Sequence, residues 1–147
     1  MQWLIEVLEG HPTSEAAQHL QAGFIAWARS GGHAPDGVGR GRPTFPSLAT
    51  CLGLPSNPDK AMLRVRDTYL RQASELVGVD YAQRWQRAVG LHAATQRFMV
   101  RSWPCWWALK APPEHATRLE ALLWHAARAG SGKLPQTARR YHQIIGD

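Results

Sequence analysis

The sequence predicts an all-α fold: a compact single-domain bundle of about six to seven helices with one long loop. Apolar residues recur every three or four positions in several segments, which is the period of a helix with one buried face. Proline and glycine separate these segments, as they do at helix ends. No segment alternates apolar and polar residues over the length of a strand. With 147 residues, 44% of them hydrophobic, the chain can bury a sizeable core.

The first two helices are predicted from Gln2 to Leu8 and from Thr13 or Ser14 to about Arg29. Gly10 and Pro12 end the first, and a hydroxyl side chain caps the second. The residues of the second helix expected to face inward are Ala17, Leu20, Phe24 and Trp27. Residues 31–45 follow as a predicted flexible loop rich in glycine and proline.

Within this loop, Arg40-Gly41-Arg42-Pro43 resembles the core of an AT-hook. In such hooks an extended Arg-Gly-Arg segment lies in the minor groove of A·T-rich DNA, where the potential is most negative. The resemblance covers these four residues and lacks the basic flanks of such hooks. Two interpretations of Arg40 and Arg42 therefore stay open: a DNA-binding arm and a plain solvated loop.

Two helices are predicted on either side of Gly53, one from Pro46 to Leu52 and one to about Val77 that Ser56 with Asp59, and Pro58 in the first turn, are expected to start. The stretch 47–54 resembles the start of a helix-turn-helix, but the prolines that follow depart from that motif. A packing helix capped by Gly53 is the alternative. The residues expected to form the core seam of the longer helix are Met62, Val65, Tyr69, Ala73 and Leu76.

The longest helical pattern runs from Asp80 to Arg101, and the other helices are expected to pack on it. Asp80 and Gln83 have the spacing of a capping box. The residues of the expected inward face are Tyr81, Trp85, Ala88, Val89, His92 and Met99, with Leu91 and Phe98 at its edge. The arginines expected in an arc on the opposite side are Arg87, Arg97 and Arg101. No Asp or Glu between Tyr81 and Pro113 neutralises this arc.

A tryptophan cluster at residues 103–107 follows, and Pro104 is expected to end the central helix. Its tryptophans either fill the core or leave Trp106 or Trp107 exposed, to stack on bases or anchor a partner protein. The last two helices are predicted at 113–129 and 136–145, where Arg139 and Arg140 would be exposed. This arrangement again resembles a helix-turn-helix.

The charge of the chain is asymmetric. Residues 1–80 carry seven Lys/Arg and eight Asp/Glu, whereas residues 81–147 carry ten Lys/Arg and three Asp/Glu. Fourteen of the 17 basic residues are arginine, which binds phosphate with two parallel hydrogen bonds and stacks on bases. A GC-rich genome would also raise the arginine content, but it would not place arginine in one half. The basic half favours an acidic partner, with nucleic acid as the first expectation.

No complete catalytic or cofactor motif is present, so we predict no enzyme, no cofactor and no metal site. Gly130-Ser131-Gly132-Lys133 lacks the earlier glycine and the following Ser or Thr of a phosphate-binding loop. The seven histidines and two cysteines lack metal-ligand spacing. No apolar run reaches the roughly 20 residues that span a bilayer, and the first residues do not resemble a signal peptide. We therefore expect a cytoplasmic protein without membrane contact.

Together these patterns predict a non-enzymatic nucleic-acid-binding protein. The residues expected to contact the nucleic acid, either DNA or RNA, are Arg40, Arg42, Arg87, Arg97, Arg101, Lys133, Arg139 and Arg140. The alternative is a protein-interaction module, such as a small helical subunit or an inhibitor of a larger protein or ribonucleoprotein complex. One continuous basic groove would favour nucleic acid, and separate patches around an exposed apolar area would favour a protein partner.

Overall fold

The computed structural model describes residues 2–30, 47–55, 57–77 and 83–146. This part of the chain is built from α-helices and contains no strand, which confirms the predicted all-α class. The helices are α1 (Gln2–Leu8), α2 (Ser14–Ser30), α3 (Leu48–Cys51), α4 (Pro58–Glu75), α5 (Arg84–Arg101), α6 (Trp103–Trp106), α7 (Arg118–Ala129) and α8 (Ala138–Gly146). Among them, none is both long enough and apolar enough to cross a bilayer.

The chain divides into two units, Met1–Ala61 and Met62–Asp147, each compact in itself. The prediction of a single domain stays a prediction. In unit 1, α1 and α3 both pack on α2. Gly23 lets α3 approach closely, because a Cβ at this position would overlap the side chain of Leu52. The contact is completed by His19, whose Nε2 lies 3.1 Å from the carbonyl oxygen of Leu52.

The inward face predicted for α2 is wrong. Phe24 is 48% exposed and Trp27 is 47% exposed, whereas the buried residues of this helix are Ala16 and Gly23. The prediction followed apolar residues at spacings of three, four and three. α3 instead approaches α2 at Gly23, where the absence of a side chain lets two backbones come close together.

In unit 2, α5 is the helix that α6, α7 and α8 contact. α8 packs along it in the antiparallel direction, since His92 lies beside Gln136 while Arg84 lies beside Gly146. α6 and α7 also pack on α5. The large apolar residues buried in this unit are Val65, Tyr69, Leu70, Leu91, Phe98, Leu123, Trp124, Leu134, Tyr141 and Ile144. Val65, Tyr69 and Ala73 of α4 are buried as predicted, whereas Met62 and Leu76 are partly exposed.

The predicted facing of α5 is wrong by about a quarter of a turn, at 100° per residue. Trp85 is 52% exposed and Val89 is 43% exposed. The residues buried in the structure are Arg87, Ala88, Leu91, Ala94, Thr95 and Phe98. At 100° per residue, Leu91 and Phe98 lie at the centre of this buried face, with the small side chains of Ala94 and Thr95 on either side. Trp85 packs at its margin, with its ring centroid 5.6 Å from that of His142.

Two predicted helix boundaries are corrected by the structure. α5 ends at Arg101, before Pro104. Pro104 instead lies in the first turn of α6, where its missing N–H breaks no helical hydrogen bond. α7 begins at Arg118 rather than near Pro113, because Thr117 and Glu120 form a capping box. The predicted cap Asp80 lies outside the described residues, and Gln83 occupies the N-cap of α5 without a side-chain hydrogen bond.

Neither helix-turn-helix resemblance carries over to the structure. α3 is a single turn, capped by Ser47 and followed by Gly53 in the left-handed region with φ 66°. It is the glycine-capped packing helix of the alternative interpretation. α7 and α8 are separated by residues 130–137, which is longer than the turn of about three to four residues that the motif uses.

Candidate nucleic-acid interface

Arg97 and Arg101 line a groove between the end of α5 and the start of α7. The groove has a volume of about 280 Å³. Its apolar lining consists of Ala94, Phe98, Leu119 and Leu123. Both arginines are exposed, as predicted, and they project from the same side of α5 because they are four residues apart. The groove therefore combines two cationic side chains with apolar ones.

The two guanidinium groups are available to an anionic ligand. Like charges four residues apart on a helix repel each other, at a cost of about 0.2–0.5 kcal/mol. In the part of the chain that the structure describes, Arg66 pairs with Asp67, but neither Arg97 nor Arg101 pairs with a carboxylate. A bound phosphate would remove this repulsion and accept hydrogen bonds from both side chains.

Glu120 also lines this groove, and its carboxylate is held by hydrogen bonds. Oε2 accepts a hydrogen bond from the Thr117 hydroxyl at 2.8 Å and from the Thr117 backbone N–H at 3.0 Å. The Ser102 hydroxyl donates to Oε1 at 3.4 Å. The hydrogen bonds from Thr117 lower the pKa of the Glu120 carboxyl, so it is ionised at neutral pH. Glu120 thus ties α7 to the end of α5, while its charge offsets part of the positive potential.

Of the two tryptophans proposed as stacking residues or anchors, Trp107 is 60% exposed and Trp106 is half-buried. Trp106 packs edge-on against Phe98 and His115, with ring centroids 5.9 and 5.8 Å apart. Its carbonyl oxygen accepts a hydrogen bond from the buried indole N–H of Trp124 at 3.0 Å. Trp107 is thus available for stacking, while Trp106 mainly holds the tryptophan cluster against its neighbours. A binding role for either remains a prediction.

Lys133, Arg139 and Arg140 are exposed, as predicted, but they do not line the groove of Arg97 and Arg101. Arg139 and Arg140 lie in the first turn of α8, where an Nη1 N–H of Arg140 donates to Gln143 Oε1 at 3.0 Å. Lys133 follows the turn at the end of α7. The groove therefore contains two of the six predicted contact residues that the structure describes.

Arg87 does not lie on the exposed arc. It is only 8% exposed because the rotation of α5 brings it to the buried face with Ala88 and Leu91. The prediction that it lies on the exposed arc is wrong, and its contact with a nucleic acid stays a prediction. Arg40 and Arg42 lie outside the described residues.

Sequence reasoning missed a second cleft, which brings Trp103 and Arg128 together with Trp107. The signals were present in part, since Trp103 belongs to the tryptophan cluster and Arg128 follows Trp124 by four residues. What could not be read from spacing is that the end of α7 lies beside the tryptophan cluster.

Among the residues that the structure describes, no group of three or more His, Cys, Asp or Glu side chains is placed to hold a metal ion. Comparison of the chain with protein-family models, with curated proteins and with solved structures finds no match.

Proposed function

We propose that this chain is a non-enzymatic nucleic-acid-binding protein that contacts phosphate through Arg97 and Arg101. The observation that supports this proposal is the pair of exposed guanidinium groups in one groove, without a carboxylate partner among the described residues. The surrounding segment is strongly basic, because residues 83–146 contain ten Lys/Arg and two Asp/Glu. One of those two acids, Glu120, is already engaged by Thr117.

Phosphate contact by arginine supplies the affinity in this proposal. Each phosphate that a cation neutralises releases condensed counterions, so binding weakens steeply as salt rises. Lys133, Arg139 and Arg140 add further contacts to the backbone, and Arg40 with Arg42 serves as an accessory arm. Such contacts position the protein without reading base sequence. The protein acts in the cytoplasm.

The proposal is tested by fluorescence-anisotropy binding to duplex DNA, single-stranded DNA and RNA over a salt series. We expect affinity to fall steeply with salt. Replacing both Arg97 and Arg101 by Ala should weaken binding and reduce the slope of log K against log salt by roughly 1.4–1.8, since each lost phosphate contact contributes about 0.7–0.9.

The matched control is Arg64→Ala, which removes an exposed arginine of α4 outside the groove. It should change the slope by less than the double variant. Because Arg97 and Arg101 are exposed, circular dichroism should show an unchanged helix content in both variants. An unchanged salt slope in the double variant would remove this groove from the binding site.

Two observations favour the alternative of a protein-interaction module. Lys133, Arg139 and Arg140 lie outside the groove of Arg97 and Arg101, so the described basic residues do not line one continuous groove. On α2, Phe24, Ile25 and Trp27 are between 41% and 48% exposed, which is unusual for three large apolar residues so close together. Failure to bind any nucleic acid at low salt would favour this alternative, and pull-down with wild-type protein and a Trp27→Ala variant would then test the α2 surface.

A further inference from the structure

A further cleft in unit 2 is lined by Trp103, Trp107, Arg128, Ser131 and Gly132, and we call it the tryptophan cleft. Its volume is about 290 Å³, close to the lower limit of roughly 300 Å³ for small-molecule pockets. Trp107 is 60% exposed, so one wall is a largely solvent-accessible aromatic surface. A site of this size and composition suits a single planar ring system.

The walls of the tryptophan cleft are held in place by the protein itself. An Nη1 N–H of Arg128 donates to the carbonyl oxygen of Trp107 at 3.0 Å, and its guanidinium carbon lies 5.5 Å from the ring centroid of Trp124. The indole N–H of Trp124 donates to Trp106, the residue before Trp107. These contacts fix the tryptophan cluster, residues 103–107, against α7. Less conformational entropy of the protein is then lost when a ligand binds.

The turn that ends α7 supplies another part of the lining, Ser131 and Gly132. Gly132 N–H donates to Ala127 O at 2.8 Å and Ser131 N–H donates to Arg128 O at 3.2 Å, which is the Schellman pattern. Lys133 N–H is likewise engaged, with Gly130 O at 2.9 Å. These backbone donors are therefore not directed at a bound phosphate. The chemistry offered by the cleft is that of its indole rings and its guanidinium group.

Polar groups in the cleft are available to a ligand. Within the described part of the chain, the indole N–H groups of Trp103 and Trp107 donate to no protein acceptor, in contrast to that of Trp124. Arg128 uses Nη1 for Trp107, and its other N–H groups remain for an acceptor on the ligand. A cationic ligand is disfavoured because Arg128 forms part of the wall.

We propose that the tryptophan cleft binds one unpaired nucleobase of a single-stranded nucleic acid. The base stacks on Trp107, its ring nitrogen and oxygen acceptors receive hydrogen bonds from Arg128 or Trp103, and Lys133 lies beside Gly132 to meet the neighbouring phosphate. This inference rests on the proposed nucleic-acid function and adds to it a preference for single strands. Bases in a duplex are already stacked and paired, so they do not enter such a site without being extruded.

The test compares binding of a single-stranded oligonucleotide and a duplex of the same sequence to the wild type, Trp107→Ala and Trp107→Phe. Stacking of one base on an aromatic side chain corresponds to an affinity change of about 5- to 150-fold. Trp107→Ala should lose that factor for the single strand and leave duplex affinity and the salt slope unchanged. Trp107→Phe, which keeps an aromatic ring, should retain most of the affinity.

The matched control is Trp85→Ala, which removes another half-exposed indole of unit 2 that does not line the cleft. It should bind both ligands as the wild type does. A fluorescent base analogue in the single strand provides a direct readout, since stacking on Trp107 quenches its emission. The quenching should persist in Trp85→Ala and disappear in Trp107→Ala.

The outcomes separate this inference from the proposed function. If the wild type binds with a salt slope that depends on Arg97 and Arg101 but Trp107→Ala binds the single strand equally well, the inference is wrong and the function stands. If Trp107→Ala weakens duplex and single strand alike, the cleft does not select an unpaired base. If the wild type binds neither ligand at low salt, both proposals are wrong.

Discussion

The two units are both helical, yet they bury their apolar side chains differently. In the described part of unit 1, the large buried residues are Ile5 and Leu52, while Leu8, Phe24, Ile25 and Trp27 are exposed. Unit 2 buries complete faces of α5 and α7, together with Tyr141 and Ile144 of α8. The charges differ as well: residues 1–61 carry four Lys/Arg and five Asp/Glu, and residues 62–147 carry thirteen and six.

The difference shows that an amphipathic pattern predicts a helix without ensuring that its apolar face is covered. α2 and α5 have similar lengths and both carry apolar residues at helical spacing. α5 is contacted by α6, α7 and α8, whereas in the described part of unit 1 α2 is contacted by the short helices α1 and α3. Burial depends on what packs against a helix, and the amino-acid pattern of that helix does not contain this information.

The largest expected effect on the free energy of unfolding is that of truncating a buried side chain of unit 2, which we compare with truncation of an exposed apolar side chain of unit 1. Leu91 is fully buried in α5, so Leu91→Ala should lower the free energy of unfolding by about 3–5 kcal/mol through lost packing and a cavity. Phe24→Ala in α2 truncates a half-exposed ring and should cost about 1 kcal/mol or less. Urea unfolding measures both. Equal losses would show that the apolar face of α2 is covered in solution.

A second prediction concerns Tyr141 in the core of unit 2. Burial raises the pKa of its phenol from 10.0 to about 12, although the nearby Thr95 hydroxyl and the charge of Arg66 oppose the shift. The folded protein favours the neutral phenol, so the associated stability is complete below pH 10 and is lost as the pH rises from about 10 towards 12. The loss is about 2 kcal/mol.

Urea unfolding at a series of alkaline pH values measures this loss. Tyr141→Phe lacks the ionisable group and should show a shallower decline of unfolding free energy above pH 10, with the other tyrosines and cysteines present as internal controls. Parallel declines for wild type and variant would show that Tyr141 titrates with an ordinary pKa.

The close approach of α3 to α2 in unit 1 is tested by Gly23→Ala. The added Cβ overlaps the side chain of Leu52, so we expect a loss of about 1–3 kcal/mol, reduced by the better helix propensity of alanine. Adding Leu52→Ala removes the obstructing side chain, and the double variant should lose less than the two single losses combined. Additive losses in urea unfolding would contradict this packing.

Trp85→Ala decides between the two facings of α5. Truncation of a core tryptophan would lower the free energy of unfolding by about 3–5 kcal/mol. Because Trp85 is 52% exposed and contacts His142 at the margin, we expect about 1–2 kcal/mol. A melting curve resolves this difference, and a core-sized loss would restore the facing predicted from the sequence.

The smallest expected effect is a gain in stability at the end of α7. Ser131 has φ 53°, in the left-handed region that non-glycine residues occupy at a cost. Ser131→Gly should remove this cost and stabilise the protein by about 0.5–1 kcal/mol. Ser131→Ala is the control, because it keeps the Cβ and should bring no gain. Equal stabilities of the glycine and alanine variants in thermal unfolding would show that the strain is negligible.

The sequence alone determined the helical class, the positions of most helices and the asymmetric charge. Gln2–Leu8 and the end of α5 at Arg101 agree with prediction, and Thr117 with Glu120 would have located the start of α7. These features can be read from the sequence because caps, prolines and glycines act on residues only a few positions away.

Only the tertiary structure decided which side of α2 and α5 is buried, that Arg87 faces inward, and that Trp103 and Arg128 share a cleft with Trp107. The physical reason is that these outcomes depend on residues far apart in the chain. A small residue can be the closest point of contact between two helices while a larger neighbour stays exposed, so side-chain size did not identify the buried face. The groove of Arg97 and Arg101 likewise forms because α7 starts beside the end of α5.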